Sequence, residues 1–166
     1  MSEEPGIELF EPRPSPSFFV EIAGDVVFAI EDRLLHNFLL PRDCPRVTYY
    51  QTAGTTTADK EKFFGESKAD FVVIVESGWY ERIKSTTLYC YELPGNDFTL
   101  LDECAAYHVS YQPAIPVEIR AITDAMAELL NRNVELRFTP SLIAIADEVS
   151  KSTLNFSNIR MRNAAG

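Results

Sequence analysis

Five consecutive residues, Phe71-Val72-Val73-Ile74-Val75, carry no polar side chain, and four of them branch at Cβ. Branching at that carbon suits extended backbone, and an apolar run without polar alternation suits a strand covered on both faces. A chain built around such a strand needs apolar partners on two sides. A sheet with helices packed on it is therefore the expected architecture.

The flanking segments read in the same terms. Asp25-Val26-Val27-Phe28-Ala29-Ile30 predicts a buried strand and Val47-Thr48-Tyr49-Tyr50 a second. Leu34, Leu35, Phe38 and Leu39 lie at helical spacing, and Pro41 ends that helix because proline disfavours an α residue before it. The threonines at 55 to 57 offer an N-cap for a helix through Phe63 and Phe64, closed by Gly65. Ser77 is expected to cap a short helix carrying Trp79, Tyr80 and Ile83.

Strand candidates follow at residues 87–92, 97–101 and 106–111. The turn chemistry of Leu93-Pro94-Gly95-Asn96-Asp97 predicts an antiparallel hairpin joining the first two. A short strand is expected at 117–121. Ile122, Ala125, Met126, Leu129 and Leu130 then mark an amphipathic helix, and 134–138 a further strand. Thr139-Pro140 reads as N-cap and first-turn proline of a helix with Leu142, Ile145, Ala146 and Val149 inward. Strands in runs, without steady βαβα alternation, predict an α+β fold: one domain with a mixed, mostly antiparallel sheet and several short helices on it. Residues 1–24 form a proline-rich packed arm, 25–154 the core, and 155–166 a tail without clear period.

The 166 residues suffice for a core without disulfide or metal staples. A net charge of −10 repels polyphosphate, so no nucleic-acid partner is expected. Cys44, Cys90 and Cys104 are odd in number and lack metal-ligand spacing, which predicts reduced thiols, a cytoplasmic location and no metal site. The first residues lack a signal-peptide pattern and no apolar run is long enough for a membrane helix, so no membrane association is expected.

Candidate chemistry gathers in three places. Pro41-Arg42-Asp43-Cys44-Pro45-Arg46 sets two guanidiniums and a carboxylate on a proline-clamped loop. Arg42 and Arg46 suit a fork-like grip on a carboxylate or phosphate, and equally an intramolecular clamp involving Asp43. Arg160 and Arg162 share one face if the tail is extended, either as a docked, binding strand or as charges guarding a sheet edge. Asp102-Glu103-Cys104 and Tyr107-His108 bring acid, thiol, phenol and imidazole together. His108 is read there as a general base or as a structural polar residue, while neighbouring carboxylates disfavour Cys104 as a nucleophile. Glu76, at the end of the apolar strand, stands where functional carboxylates occur and where a helix cap is also expected. The glycine- and histidine-based motifs of NTPases, dinucleotide-binding folds, zincins and α/β-hydrolases are absent.

Ser2-Glu3-Glu4-Pro5-Gly6-Ile7, Phe10-Glu11-Pro12-Arg13, the run from Pro41 to Val47 and Ile159-Arg160-Met161-Arg162-Asn163 together resemble a small, uncharacterised bacterial family of unknown function. Its members usually open with a strand ending in an aromatic-His-x-Ser step before the SEEP segment, whereas this chain starts at Met1-Ser2. With the stretch from Tyr107-His108-Val109-Ser110 to Pro113 and Pro116, that opening is similar to ADP-ribosyltransferase-like folds. The similarity implies NAD as cofactor, a first-strand histidine or arginine gripping its ribose, which has no match in this sequence, and Glu103 as the nearest match to the glutamate that helps expel nicotinamide.

Three functions follow as expectations. The first is binding of an anionic small molecule or nucleotide through Arg42, Asp43 and Arg46, with Arg160 and Arg162. The second is an NAD-using enzyme with Glu103 or His108 at the reacting centre. The third is an interaction module whose arm, through Phe10, Phe18 and Phe19, docks on a partner or a second copy.

Overall fold

A computed structural model describes residues 1–15 and 19–165. By internal contacts the chain divides into two compact units, Met1–Leu35 with Leu88–Ile122, and His36–Thr87 with Thr123–Gly166. Helices and mixed sheets give the α+β class expected.

The second unit holds the apolar run. β2 (Arg46–Tyr50), β3 (Phe71–Glu76), β8 (Val134–Thr139) and β9 (Asn155–Ile159) form a four-stranded sheet in the order β8-β3-β2-β9. β3 and β8 run parallel, while β2 is antiparallel to β3 and β9. Val72 and Ile74 join Val47, Tyr49, Phe63, Phe64, Leu142, Val149 and Leu154 in one buried cluster, to which α1 (Thr57–Phe63) and α4 (Ile143–Ser150) contribute. Val73 and Val75 alternate to the opposite face and are equally inaccessible. Both faces of β3 are thus covered, which is why its sequence shows no polar alternation.

Local signals set several boundaries. Thr56 caps α1 by accepting from the Asp59 N–H, and Gly65 follows at φ 56, a left-handed value that glycine adopts without a Cβ clash. Asp124 caps α3 (Ala125–Asn131) by accepting from the Ala127 N–H, and α3 packs on β8. Residues Asp32–Phe38 are helical, though as 3-10 turns kinked at Leu34.

In the first unit, β1 (Val27–Ile30), β6 (Tyr107–Ser110) and β5 (Thr99–Asp102) form one antiparallel sheet, and β4 (Leu88–Glu92) pairs antiparallel with β7 (Glu118–Ile122). The arm lies against this unit through bridges Ser2–Tyr89, Phe10–Ala114 and Arg13–Val26, with the Phe10 ring edge-on to Tyr91 at 5.1 Å. Phe18, assigned to the packed arm, lies outside the described residues.

Four expectations are corrected. The predicted 87–92/97–101 hairpin does not form: β4 pairs with β7, and β5 with β6. The connection through Pro94 makes a 3-10 turn at Gly95–Asp97. The tight turn falls later, where Asp102 Oδ1 accepts from the Ala105 N–H and Ala106 takes φ 54. Thr139 stays in β8 opposite Glu76 and does not cap α4, which starts at Ile143 after Leu142. Ser77 opens a 3-10 turn, Ser77–Trp79, that leads into α2 (Tyr80–Ser85), with Glu76 in the cap position. The tail is not extended through Arg162, because Arg160 at φ 56 ends β9 and a 3-10 turn, Met161–Asn163, follows.

Among the described residues no helix is long and apolar enough to cross a membrane.

Candidate functional site

Strand register brings the arginine loop and the tail to one end of the four-stranded sheet. Arg46, first in β2, stands opposite Val75 near the end of β3 and Ile159 at the end of β9, while Glu76 stands opposite Thr139 at the end of β8. The carboxyl ends of parallel β3 and β8 thus share an edge with residues 41–46 and 160–165. Open sheets place ligands at such carboxyl ends.

Arg46 works from inside. It is 2% exposed, and its Nε donates to the Asn37 carbonyl at 2.9 Å while Nη1 donates to Cys44 at 2.8 Å and Pro41 at 3.4 Å. Its guanidinium also lies 5.5 Å from the centre of the Phe38 ring. A buried cation is tolerated only when its donors find partners, and here the main-chain carbonyls of Asn37, Pro41 and Cys44 take Nε and Nη1. The intramolecular clamp is therefore present in Arg46, with carbonyls in place of Asp43 as its partners. Cys44 is inaccessible, and burial pushes its thiol up to about 12 against the lowering pull of Arg46. A thiolate nucleophile is not available there.

Arg42 and Asp43 are exposed at the tip of the loop, and the tail grips their main chain. Arg160 Nε donates to the Arg42 carbonyl at 3.2 Å, and Asn163 Nδ2 donates to the Asp43 carbonyl at 2.7 Å. Glu76, 4% exposed, fixes the tail from below: Oε1 accepts from the Ala165 N–H at 2.9 Å and the Leu142 N–H at 3.3 Å. Arg162 is exposed, and among the described residues it makes no hydrogen bond or ion pair. The structure so brings Arg42, Asp43, Arg160 and Arg162 to one loop cluster. Sequence reading missed that Asn163 and Glu76 hold it together, because both act on main-chain atoms of distant segments.

His108 and Glu103 belong to the first unit. His108 Nε2 is 2.8 Å from Oε1 of Glu31, and Glu31 Oε2 accepts from Arg33 Nε at 2.7 Å. These bonds, His108 first and Arg33 second, hold the Glu31 carboxyl below its ordinary range. Arg33 Nη2 also donates to the Glu103 carbonyl, so a chain of contacts links Glu103, Arg33, Glu31 and His108. The carboxylate facing His108 is Glu31, not Glu103, whose side chain is exposed. Neither Glu31 nor Arg33 stood out in the sequence, since Glu31 is 77 residues from its partner. A half-exposed imidazole oriented by a carboxylate is the arrangement a general base requires. Among the described residues no group of three His, Cys, Asp or Glu is placed to hold a metal ion.

No curated protein and no solved structure matches this chain. Residues 1–164 do match the Family of unknown function (DUF6886), and the chain belongs to that family.

Proposed function

We propose that this protein binds an anionic small molecule, with nucleotides in that class, on the outer surface of the arginine loop and the tail. Arg42, Arg160 and Arg162 supply the positive charge, and Arg46 keeps the loop in shape from within. The observation that carries this reading is the docking of Arg160 and Asn163 on the Arg42 and Asp43 carbonyls, which fastens three guanidinium-bearing residues to one stretch of surface. In a chain of net charge −10, gathering three arginines on one stretch favours anions there. Arg160 adds a second sign. A non-glycine residue at φ 56 stores backbone strain, which proteins keep where geometry matters for binding.

Calorimetric titration with inorganic phosphate, ADP and NAD tests the reading. Binding is expected for at least one of them, lost in Arg162→Ala and in Arg42→Ala without a change in melting temperature. Saturation at about 100 times the dissociation constant stabilises the protein by about 2.7 kcal/mol. Absence of heat with all three anions overturns it. The three free cysteines fit a reducing, cytoplasmic setting.

The His108–Glu31 pair favours a second reading, NAD-using chemistry of ADP-ribosyltransferase-like type in the first unit. His108 acts as base, and Glu103 presents its exposed carboxylate from the next turn. NAD consumption lost in both His108→Gln and Glu103→Gln supports it, and an intact chain that leaves NAD unconsumed rejects it.

A further inference from the structure

β7 is the outer strand of the β4–β7 ribbon, and β4 is its only strand partner among the described residues. Open strand edges are templates for pairing, and monomeric proteins spoil them with charges that find no complement in a second copy. The charges of β7 do the opposite. Its sequence, Glu118-Ile119-Arg120-Ala121-Ile122, places one acid and one base on either side of Ile119. Val117 is 66% and Ile119 46% exposed, and by strand alternation they share a face with Ala121. On the other face Glu118 stands opposite Glu92 of β4, a like-charge pair that disfavours the isolated ribbon.

We propose that the chain forms a two-fold dimer in which β7 pairs antiparallel with β7 of a second copy, with Ile119 on the axis. In that register Ile119 meets its own equivalent, and Val117 meets Ala121 of the second copy on the same face. Glu118 meets Arg120 of the second copy on the other face, and the reverse pair repeats across the axis. Both charge pairs are opposite in sign, and each brings an arginine beside the Glu118–Glu92 repulsion. Neighbouring registers are excluded by the same arithmetic. A two-fold axis moved to Glu118 or to Arg120 sets two like charges directly opposite, which is destabilising. Exposed aliphatic side chains and the outer edge of β7 are covered in one step, as in other strand-addition interfaces.

Light scattering coupled to size exclusion of the full chain, over a concentration series, tests this. The expected mass is twice 18.7 kDa at the upper concentrations. Glu118→Arg and Arg120→Glu should each give the monomer mass with an unchanged circular dichroism spectrum, and the double reversal should restore the dimer. Ile119→Lys gives a second break that leaves the charge row intact. A wild-type chain that stays monomeric throughout overturns the proposal, as does a dimer that survives both single reversals and Ile119→Lys.

Discussion

Arg46 and Arg33 both donate to main-chain carbonyls, Arg46 to those of Asn37, Pro41 and Cys44 and Arg33 to that of Glu103, yet their surroundings differ. Arg46 is sealed in the second unit and donates to main-chain carbonyls, whereas the Arg33 side chain is 43% exposed in the first unit and shares its charge with Glu31 and, through it, His108. A desolvated cation has no water to fall back on, so the loop and its arginine need each other. A screened cluster can lose a member and rehydrate. The same group is thus sealed and structural in one unit and screened by solvent in the other.

The sharpest way to break this comparison is Arg46→Ala. It leaves the Asn37, Pro41 and Cys44 carbonyls without their donor inside the fold and should cost about 3–5 kcal/mol in urea unfolding. The same change should open Cys44 to thiol reagents, while in the native chain the exposed Cys104 reacts promptly and Cys44 waits for unfolding. Arg46→Lys should recover only part of the loss, since one ammonium cannot reproduce the planar fork.

A smaller effect is expected at Tyr49, whose hydroxyl donates to the Phe63 carbonyl and accepts from Arg137 Nη1, both at 2.9 Å. Tyr49→Phe should cost about 1–2 kcal/mol. Burial raises both Tyr49 and Cys44 to about 12, so each favours its neutral form in the folded state. Their contribution is present in full below the unfolded values, about 8.5 for Cys and 10 for Tyr, and is lost as pH climbs from there towards about 12. Stability measured against pH should fall over that range, and less steeply in Tyr49→Phe.

The smallest effect is expected at Glu31. Glu31→Gln should change stability by less than about 1 kcal/mol because the cluster is well exposed. Its carboxyl is lowered in the folded state, so what it contributes is present above its unfolded pKa and fades as pH falls through the folded value. A Glu31→Gln cost equal to that of Arg46→Ala would erase the distinction between the two regions.

Particular residues show how far the sequence reached. The β3 run, the Thr56 cap, the Gly65 stop and the strand at 134–138 were legible because alternation, capping and left-handed glycine depend on neighbours along the chain. The 87–101 hairpin failed because good turn residues do not choose a partner strand: Leu88 lies opposite Ile122, both buried, across 34 positions of sequence. Thr139 has the side chain of a cap, yet pairing with Glu76 held it in the sheet. For the candidate sites, the arginine loop and tail were named from composition, but not the division of labour by which Arg46 faces inward and Arg42 outward.

The sequence by itself determined the α+β class, the position of the central strand, the acidic balance and the residues able to carry chemistry, since these follow from side-chain type and local periodicity. Only the tertiary structure decided which strands pair, that Glu31 and not Glu103 faces His108, and that Asn163 fastens the tail to the arginine loop while Glu76 holds it at the end of β3. Those contacts join segments many tens of residues apart. Their strength comes from burial and hydrogen-bond geometry, which do not exist until the chain has closed on itself.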